Sequence, residues 1–242
     1  MDKPKVLVFD IETFPMEVRI WQLGDQHVGL HQIVKDWSVA AWGAKWLGDS
    51  PAKTIYRDTS CNKDVRYDKN ILEPLWELLD KANIVITQNG KNFDSRKLNA
   101  RFIELGFPPP SSYKHLDTYK IAKSVAEFTS HKLEYLTEHL CTKYKKLSHK
   151  KFPGNSLWDQ CLAGNPAAWR EMKRYNIHDV LSTEELYTKL QAWTPQTMPN
   201  SEHSCPRRYA IKDGTKQQIS GRFQIYKCNK CGKKFKGEKI NA

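Results

Sequence analysis

The sequence predicts an α/β domain followed by a small basic appendage, and three observations carry that reading. Apolar, β-branched and aromatic runs crowd the first sixty positions; helical periodicity then begins near residue 71 and alternates with a further strand; and composition changes abruptly after residue 194. At 242 residues the chain has room for one well-buried core, typically about 100–200 residues, plus such an appendage. Hydrophobic residues at 39% and aromatics at 11% offset the entropy of ordering, which places the chain with globular rather than disordered proteins.

The elements follow in order. Residues 5–10 form the first strand, and VRIWQLG (18–24), WSVAAWGAKWL (37–47) and KTIYR (53–57) continue it as an antiparallel meander. ILEPLWELLDKA (71–82) shifts to helical spacing, with Leu72, Leu75, Leu78 and Leu79 on one face, and NIVITQN (83–89) returns to strand. SRKLNARFIELG (95–106) is an amphipathic helix stopped by Gly106 and the triple proline beyond it. After that the body reads as helical, over DTYKIAKSVAEF (117–128), HKLEYLTEHLCTKY (131–144) and a long segment at 166–193 with Pro166 in its first turn. Between the last two lies KYKKLSHKKFPGNS (143–156), a basic loop that reads as a solvated connection or as a phosphate contact. The polar, proline-bearing TPQTMPNS (194–201) then contains a linker at 195–200, dividing a body of residues 1–194 from a tail of 201–242.

The net charge of +12 favours polyanions over acidic small molecules. Eleven Lys or Arg against three Asp or Glu give residues 201–242 a net of +8, so two-thirds of the excess sits in the tail. No window approaches the roughly 18 apolar residues of a membrane span, and MDKPKVLVFD enters a strand without a signal-peptide pattern, so a cytosolic protein is expected. In that reducing compartment Cys61, Cys141 and Cys161 are expected to be inert core thiols, whereas Cys205, Cys228 and Cys231, crowded in the tail, suggest a metal.

Four acids carry the chemistry. Asp10 and Glu12 are two apart on a strand, so both leave one face while Ile11 turns to the opposite layer. Carboxylates pressed together in a partly dry site repel until one takes up a proton, unless a cation sits between them. The pair reads either as strand-end charges facing water or as half of a divalent-metal site. Asp94, in NGKNFDSRKLNAR, opens a helix after a strand and alone reads as a cap. Asp179, in YNIHDVLSTEELY, lies four residues beyond Tyr175 on one helical face and alone reads as an exposed acid. Together the segments favour the metal site. Asn89 and Asn92 read as turn formers or as donors to substrate or metal-held water, Asp117 as a helix N-cap or a buttress, and Phe14 as core or as a wedge against a terminal base.

DIE on the first strand, NGKNFD before a helix and Y-x-x-x-D on the last helix resemble the three motifs of the DEDD superfamily of 3′–5′ exonucleases, in order, over residues 5 to about 193. The chain is similar to phage and bacterial exonucleases of this kind that carry a C-terminal zinc ribbon. The resemblance implies a ribonuclease-H-like mixed sheet flanked by helices, with Asp10, Glu12, Asp94 and Asp179 holding two Mg²⁺ or Mn²⁺ ions. Asp10 would bridge them, Glu12 and Asp179 would serve the ion nearer the nucleophile, and Asp94 the other. Hard oxygen ligands suit such ions. Tyr175 sits where the tyrosine subclass, DEDDy, orients its attacking water, whereas the histidine subclass would need its base at Arg174. A phenol of ordinary pKa near 10 is a poor base at neutral pH, so positioning is its role. His178 points about 100° away around the helix and reads as structural.

In the tail, Cys228-x-x-Cys231 followed by Gly is a zinc-knuckle pattern. The first half departs from C-x-x-C: Glu202 stands three before Cys205 and His203 two before. His203 with Cys205, Cys228 and Cys231 makes an acceptable set for one structural Zn²⁺, with Glu202 or water as the alternative fourth ligand. RFQIYK alternates like a ribbon strand, and in so small a domain zinc would supply much of the folding energy. Arg207, Arg208, Arg222, Lys227, Lys230, Lys233 and Lys234, interleaved with aromatics, suit phosphate contact and base stacking; a merely solvated basic surface is the alternative. The expected function is a metal-dependent 3′–5′ exonuclease on DNA, single-stranded or frayed, tethered by its ribbon to nucleic acid. It would be cytoplasmic, in the host if phage-encoded, with no membrane partner. An exoribonuclease, a structure-specific endonuclease on the same fold and a non-catalytic nucleic-acid-binding or recruitment module are the alternatives.

Overall fold

The computed structural model describes residues 4–25, 27–147, 151–194, 210–218, 221–229 and 234–240. The chain begins with β1 (Val6–Phe14), a ribbon of β2 (Glu17–Val18) and β3 (Ile33–Lys35), then β4 (Ser38–Trp46) and β5 (Ile55–Asp58). Helix α1 (Lys69–Asp80), β6 (Ile84–Thr87), α2 (Asp94–Glu104) and β7 (Lys114–Asp117) follow. The body then closes with α3 (Thr118–Val125), α4 (Leu133–Leu140), α5 (Ser156–Leu162) and α6 (Pro166–Leu190).

Five of these strands form one sheet in the order β5-β4-β1-β6-β7. β1 pairs antiparallel with β4 and parallel with β6, so the sheet is mixed, as expected. Its central strand is covered on both faces. Leu7, Phe9 and Ile11 pack with Leu72, Leu75 and Leu79 of α1 and with Leu98 and Phe102 of α2. Val8 meets Ile86 and Val180 of α6, while Phe14 meets Leu157 of α5 and Trp169 and Met172 of α6. Strand alternation therefore directs Asp10 and Glu12 toward the α5–α6 layer. Opposite the step from Glu12 to Thr13, β4 carries one extra residue, Ala40, a bulge beside the end of β1 that bears the carboxylates.

Two partly buried ion pairs fasten this frame. Asp68, ahead of α1, accepts from the Val39 amide at 2.9 Å and from Arg101 of α2 at 2.8 and 2.7 Å. Lys45 of β4 reaches Glu184 of α6 at 2.7 Å. Helix starts follow local chemistry: Asn165 caps α6 by accepting from the Ala167 amide, with Pro166 in the first turn, and Asp117 caps α3 by accepting from the Tyr119 amide.

Four expectations are corrected. Residues 18–24 do not form a sheet strand: only Glu17 and Val18 pair, with β3, and the chain then bends through Gly24 at φ +109°. Trp21 and Leu23 are 99% and 94% exposed, so their strand propensity finds no neighbour to pack against. The body after residue 106 is not wholly helical, because Lys114–Asp117 adds β7 in parallel to β6. A four-residue segment opening with Lys and His shows no apolar run; pairing makes it a strand. The connection before α6 also contains the two-turn helix α5, unforeseen in the sequence. Of the body cysteines, Cys141 and Cys161 are buried, with burial pushing both thiols up to about 12, whereas Cys61 is exposed and departs from the expected core thiol.

In the tail, β8 (Ala210–Gln218), β9 (Gly221–Cys228) and β10 (Lys234–Ile240) form an antiparallel sheet in the order β10-β9-β8, with RFQIYK inside β9. The proposed linker at 195–200 lies outside the described residues.

Candidate active site

Strand β1 and helix α6 converge on the acids. Carboxylate oxygens of Asp10, Glu12 and Asp179 all lie within 4.8 Å of one another. Asp94 stands beside this trio at the head of α2, its Oδ1 accepting from the Ile11 amide at 3.1 Å, which ties the helix to the strand between the two carboxylates. Asp10 accepts from Asn176 Nδ2 at 2.9 Å, and the Trp158 side chain donates to Glu12. Tyr175 lies one helical turn before Asp179, as the spacing required, and is buried.

The electrostatics show a site short of positive charge. Burial, then Asp94, Asp179 and Glu12, hold the Asp10 carboxyl well above its ordinary range. Glu12 is pushed up to about 8 by burial and then Asp179, and Asp94 to about 7 by burial against the lowering effect of the Ile11 amide. Tyr175 rises to about 12 through burial and Asp179. Lys146 supplies a cation: its Nζ is 2.6 Å from Asp179 Oδ2 and 4.6 Å from the Tyr175 ring centroid. Burial alone would lower its ammonium, but Asp179 and Tyr175 hold it raised. Three buried carboxylates and the half-buried Asp10 against one ammonium fit a further hard cation, because a divalent ion reverses the desolvation and repulsion that lift these groups.

Lys146 comes from the basic loop, whose phosphate reading marked the segment but not the residue. Its placement is anchored. Glu185 of α6 accepts from the amides of Thr142 at 2.8 Å, Lys143 at 3.1 Å and Tyr144 at 2.8 Å, and Thr137 Oγ1 accepts from the Lys146 amide at 3.0 Å. Asn176 and Trp158 were also missed in the sequence. The signal for Asn176 was an amide in the interior of a helix beside a site tyrosine, a position where Asn has low intrinsic preference.

Other sequence-predicted positions fall as follows. Asn89 holds a left-handed turn at φ 59°, and Asn92 Nδ2 lies 3.3 Å from its Oδ1, so the turn reading describes both, with their side chains exposed ahead of Asp94. Asp117 serves both suggested roles, since besides capping α3 it accepts from the Asn89 amide at 2.8 Å and steadies that turn. Phe14 is fully buried, edge-on to Trp169 at 5.9 Å, and belongs to the core. His178 packs edge-on against Tyr144 at 5.6 Å. In the tail Cys228 ends β9, Lys227 is exposed on it, and Arg222 and Lys234 belong to β9 and β10. His203, Cys205, Cys231, Arg207, Arg208, Lys230 and Lys233 lie outside the described residues.

Fold and cluster together define a ribonuclease-H-like α/β protein with an acidic site able to bind metal. The RNase_H_2 model, of the RNase_H superfamily, matches residues 45–191, and the chain belongs to that family. The match begins at Lys45, so the strand bearing Asp10 and Glu12 precedes it. Among solved structures the chain is similar to the family B DNA polymerase from the hyperthermophilic archaeon Pyrobaculum calidifontis, with TM-score 0.55 and 18% identity over 79% of this chain. That match spans 25% of the polymerase chain and speaks for the fold. No curated protein matches. Family and fold support nuclease chemistry on nucleic acid. No helix among the described residues is long and apolar enough to cross a membrane.

Proposed function

We propose that the protein is a two-metal-ion 3′–5′ exonuclease of the DEDDy type that hydrolyses DNA from single-stranded or frayed ends. The observation carrying this reading is the convergence of Asp10, Glu12 and Asp179 within 4.8 Å, with Asp94 and Tyr175 beside them. Two Mg²⁺ or Mn²⁺ ions, when bound, supply the Lewis acidity that activates water and neutralises charge on the phosphodiester. Asp10, Glu12, Asp94 and Asp179 hold those ions. Tyr175, raised to about 12, keeps its proton at neutral pH and so orients the attacking water by hydrogen bonding rather than deprotonating it. Lys146 keeps Asp179 ionised and adds a fixed positive charge where the phosphate enters.

In the tail, His203, Cys205, Cys228 and Cys231 bind one structural Zn²⁺, and Arg207, Arg208, Arg222, Lys227, Lys230, Lys233 and Lys234 track the nucleic-acid backbone. The net of +8 over residues 201–242 supports that role. Asn89 and Asn92, exposed ahead of Asp94, contact the terminal nucleotide. The test is end-labelled DNA and RNA, single- and double-stranded, incubated with Mg²⁺, Mn²⁺ or EDTA and resolved by length. Metal-dependent release of single nucleotides from the 3′ end of DNA is expected. Internal fragments, preference for RNA, or turnover in EDTA would each reject part of the reading.

A further inference from the structure

Asn176 is fully buried on α6, one residue after Tyr175 and three before Asp179. Its Nδ2 donates to Asp10 Oδ2 at 2.9 Å and approaches the Asp10 carbonyl at 3.3 Å, so one amide group grips both the side chain and the backbone of the same residue. Its Oδ1 is buried without a hydrogen-bond partner among the described residues. Leaving an acceptor unpaired in a dry core is unfavourable, yet turning the amide over would set that oxygen against the Asp10 carboxylate. The amide is therefore committed to aiming its donor at Asp10.

The opposite side of the amide explains a glycine. Gly43 of β4 lies directly across from Asp10 in the β1–β4 pairing, and a Cβ built on it would stand 2.5 Å from Asn176 Oδ1 and 3.1 Å from Val180 Cγ2. Gly43 has an ordinary negative φ and needs no glycine for its backbone. Space is the reason: only a residue without a side chain lets α6 bring Asn176 down onto the strand.

We infer that Asn176, seated in the notch left by Gly43, is a positioning residue that fixes the Asp10 carboxylate for metal binding. This rests on the metal-site reading above and goes beyond it by assigning the aim of one carboxylate to a specific pair of residues. Asn176 holds Oδ2 at 2.9 Å, in a carboxylate that has an oxygen within 4.8 Å of those of Glu12 and Asp179. Such outer partners typically alter metal affinity by about 10–100-fold.

The experiment titrates the full chain with Mn²⁺ in the absence of nucleic acid, reading free Mn²⁺ by electron paramagnetic resonance, with circular-dichroism melts alongside. Asp10→Ala is the control for the site. Asn176→Leu keeps branching and volume while removing the donor, and Asn176→Ala serves should the leucine variant not fold. Affinity is expected to fall about 10–100-fold in either, with native dichroism retained. Gly43→Ala should weaken Mn²⁺ binding to a similar extent by displacing the amide. Adding Asn176→Ala to Gly43→Ala should recover thermal stability without recovering affinity, which a purely structural role would not produce. Mn²⁺ binding within about twofold of wild type in a folded Asn176 variant, with Asp10→Ala binding lost, overturns the inference and leaves the metal site standing. Wild-type binding that Asp10→Ala does not change overturns the metal site itself, and the inference with it.

Discussion

Replacing Asp10 with Asn should stabilise the metal-free protein while abolishing its activity. At 4.8 Å, the limit on the separations in the trio, two like charges cost about 3.5 kcal/mol at an effective permittivity of about 20. Asp10 is repelled by Asp94 and by its two neighbours in the trio, Asp179 and Glu12, and is also attracted by Lys146, which offsets part of the repulsion. Proton uptake by the wild-type cluster relieves more of it, leaving about 1–3 kcal/mol for the substitution to recover at pH 8. For a domain this size that is a rise of about 3–10 °C in melting temperature. Asparagine keeps an oxygen for Asn176 to bond, so the substitution isolates charge from shape.

The pH dependence has a definite sign. These carboxyls are raised in the folded state, so their stability contribution is intact below the ordinary carboxyl range and is lost as pH rises toward about 8, the position of Glu12. In EDTA the advantage of Asp10→Asn over the wild type should therefore be larger at pH 8 than at pH 5, and should shrink further as pH falls through the ordinary carboxyl range. Saturating Mg²⁺ at pH 8 should raise the wild type above the variant. Melts by circular dichroism in EDTA and in Mg²⁺ at both values check this. An Asp10→Asn protein melting at or below wild type at pH 8 in EDTA would refute the account of a charge-strained cluster.

Lys146→Met should act in the opposite direction, destabilising the metal-free protein by about 1–3 kcal/mol at pH 8, because it leaves Asp179 buried without its 2.6 Å partner; its 26% exposed side chain keeps the loss below that of a fully buried pair. Saturating Mg²⁺ should narrow the gap, and a gap unchanged by metal in paired melts would argue against a shared role. His115, held down to about 4 by burial while bonded to Thr87 Oγ1 at 2.7 Å, makes the fold acid-sensitive: stability is full above about 6.5 and falls as pH drops toward 4. The ring is half-exposed, so the loss is about 1–2 kcal/mol, and His115→Gln should flatten a urea-midpoint profile across that window. Removing residues 201–242 should weaken DNA binding and flatten its salt dependence while sparing turnover on saturating substrate, measured by fluorescence anisotropy against salt and by initial rates. An equal loss at saturation would place the tail in the active site. Elemental analysis should find one zinc per chain, lost in Cys228→Ser.

The parts of the structure legible in the sequence are those where local pattern and tertiary demand agree. The apolar run at Val6 and its i, i+2 carboxylates gave both the central strand and the shared face, because a strand buried on two sides must alternate. Leu72, Leu75 and Leu79 marked α1 through a stripe that the sheet indeed covers. The segment at 18–24 misled because β-branched and aromatic residues signal a strand only when something lies against them, and Trp21 is almost wholly exposed. β7 and α5 were hidden for the converse reason, being short elements made by their neighbours.

At the site, legibility divided by chemistry. Carboxylates announced themselves, since grouped acids in a dry setting call for a cation. Lys146, Asn176 and Gly43 did not, because each matters through a contact more than 30 positions away in sequence: Lys146 to Asp179, Asn176 to Asp10, and Gly43 to Asn176. Spacing rules operate within one element and cannot report which residue a loop delivers to another.

Helix α6 explains why the site can be tightly specified at such distance. It carries Tyr175, Asn176 and Asp179 within five positions, and Glu185 farther along the same helix holds the amides of residues 142–144. The acid, the amide that grips Asp10 and the anchor of the Lys146 loop therefore move as one body. Val180, next to Asp179, packs with Val8 of β1, so the contact closing the core also sets the distance between helix and strand carboxylates. A site built on loops could relax when its charges repel, whereas this one is denied that route by its own core. The repulsion is thus stored as lost stability until a cation arrives, and cation binding and folding become one linked equilibrium.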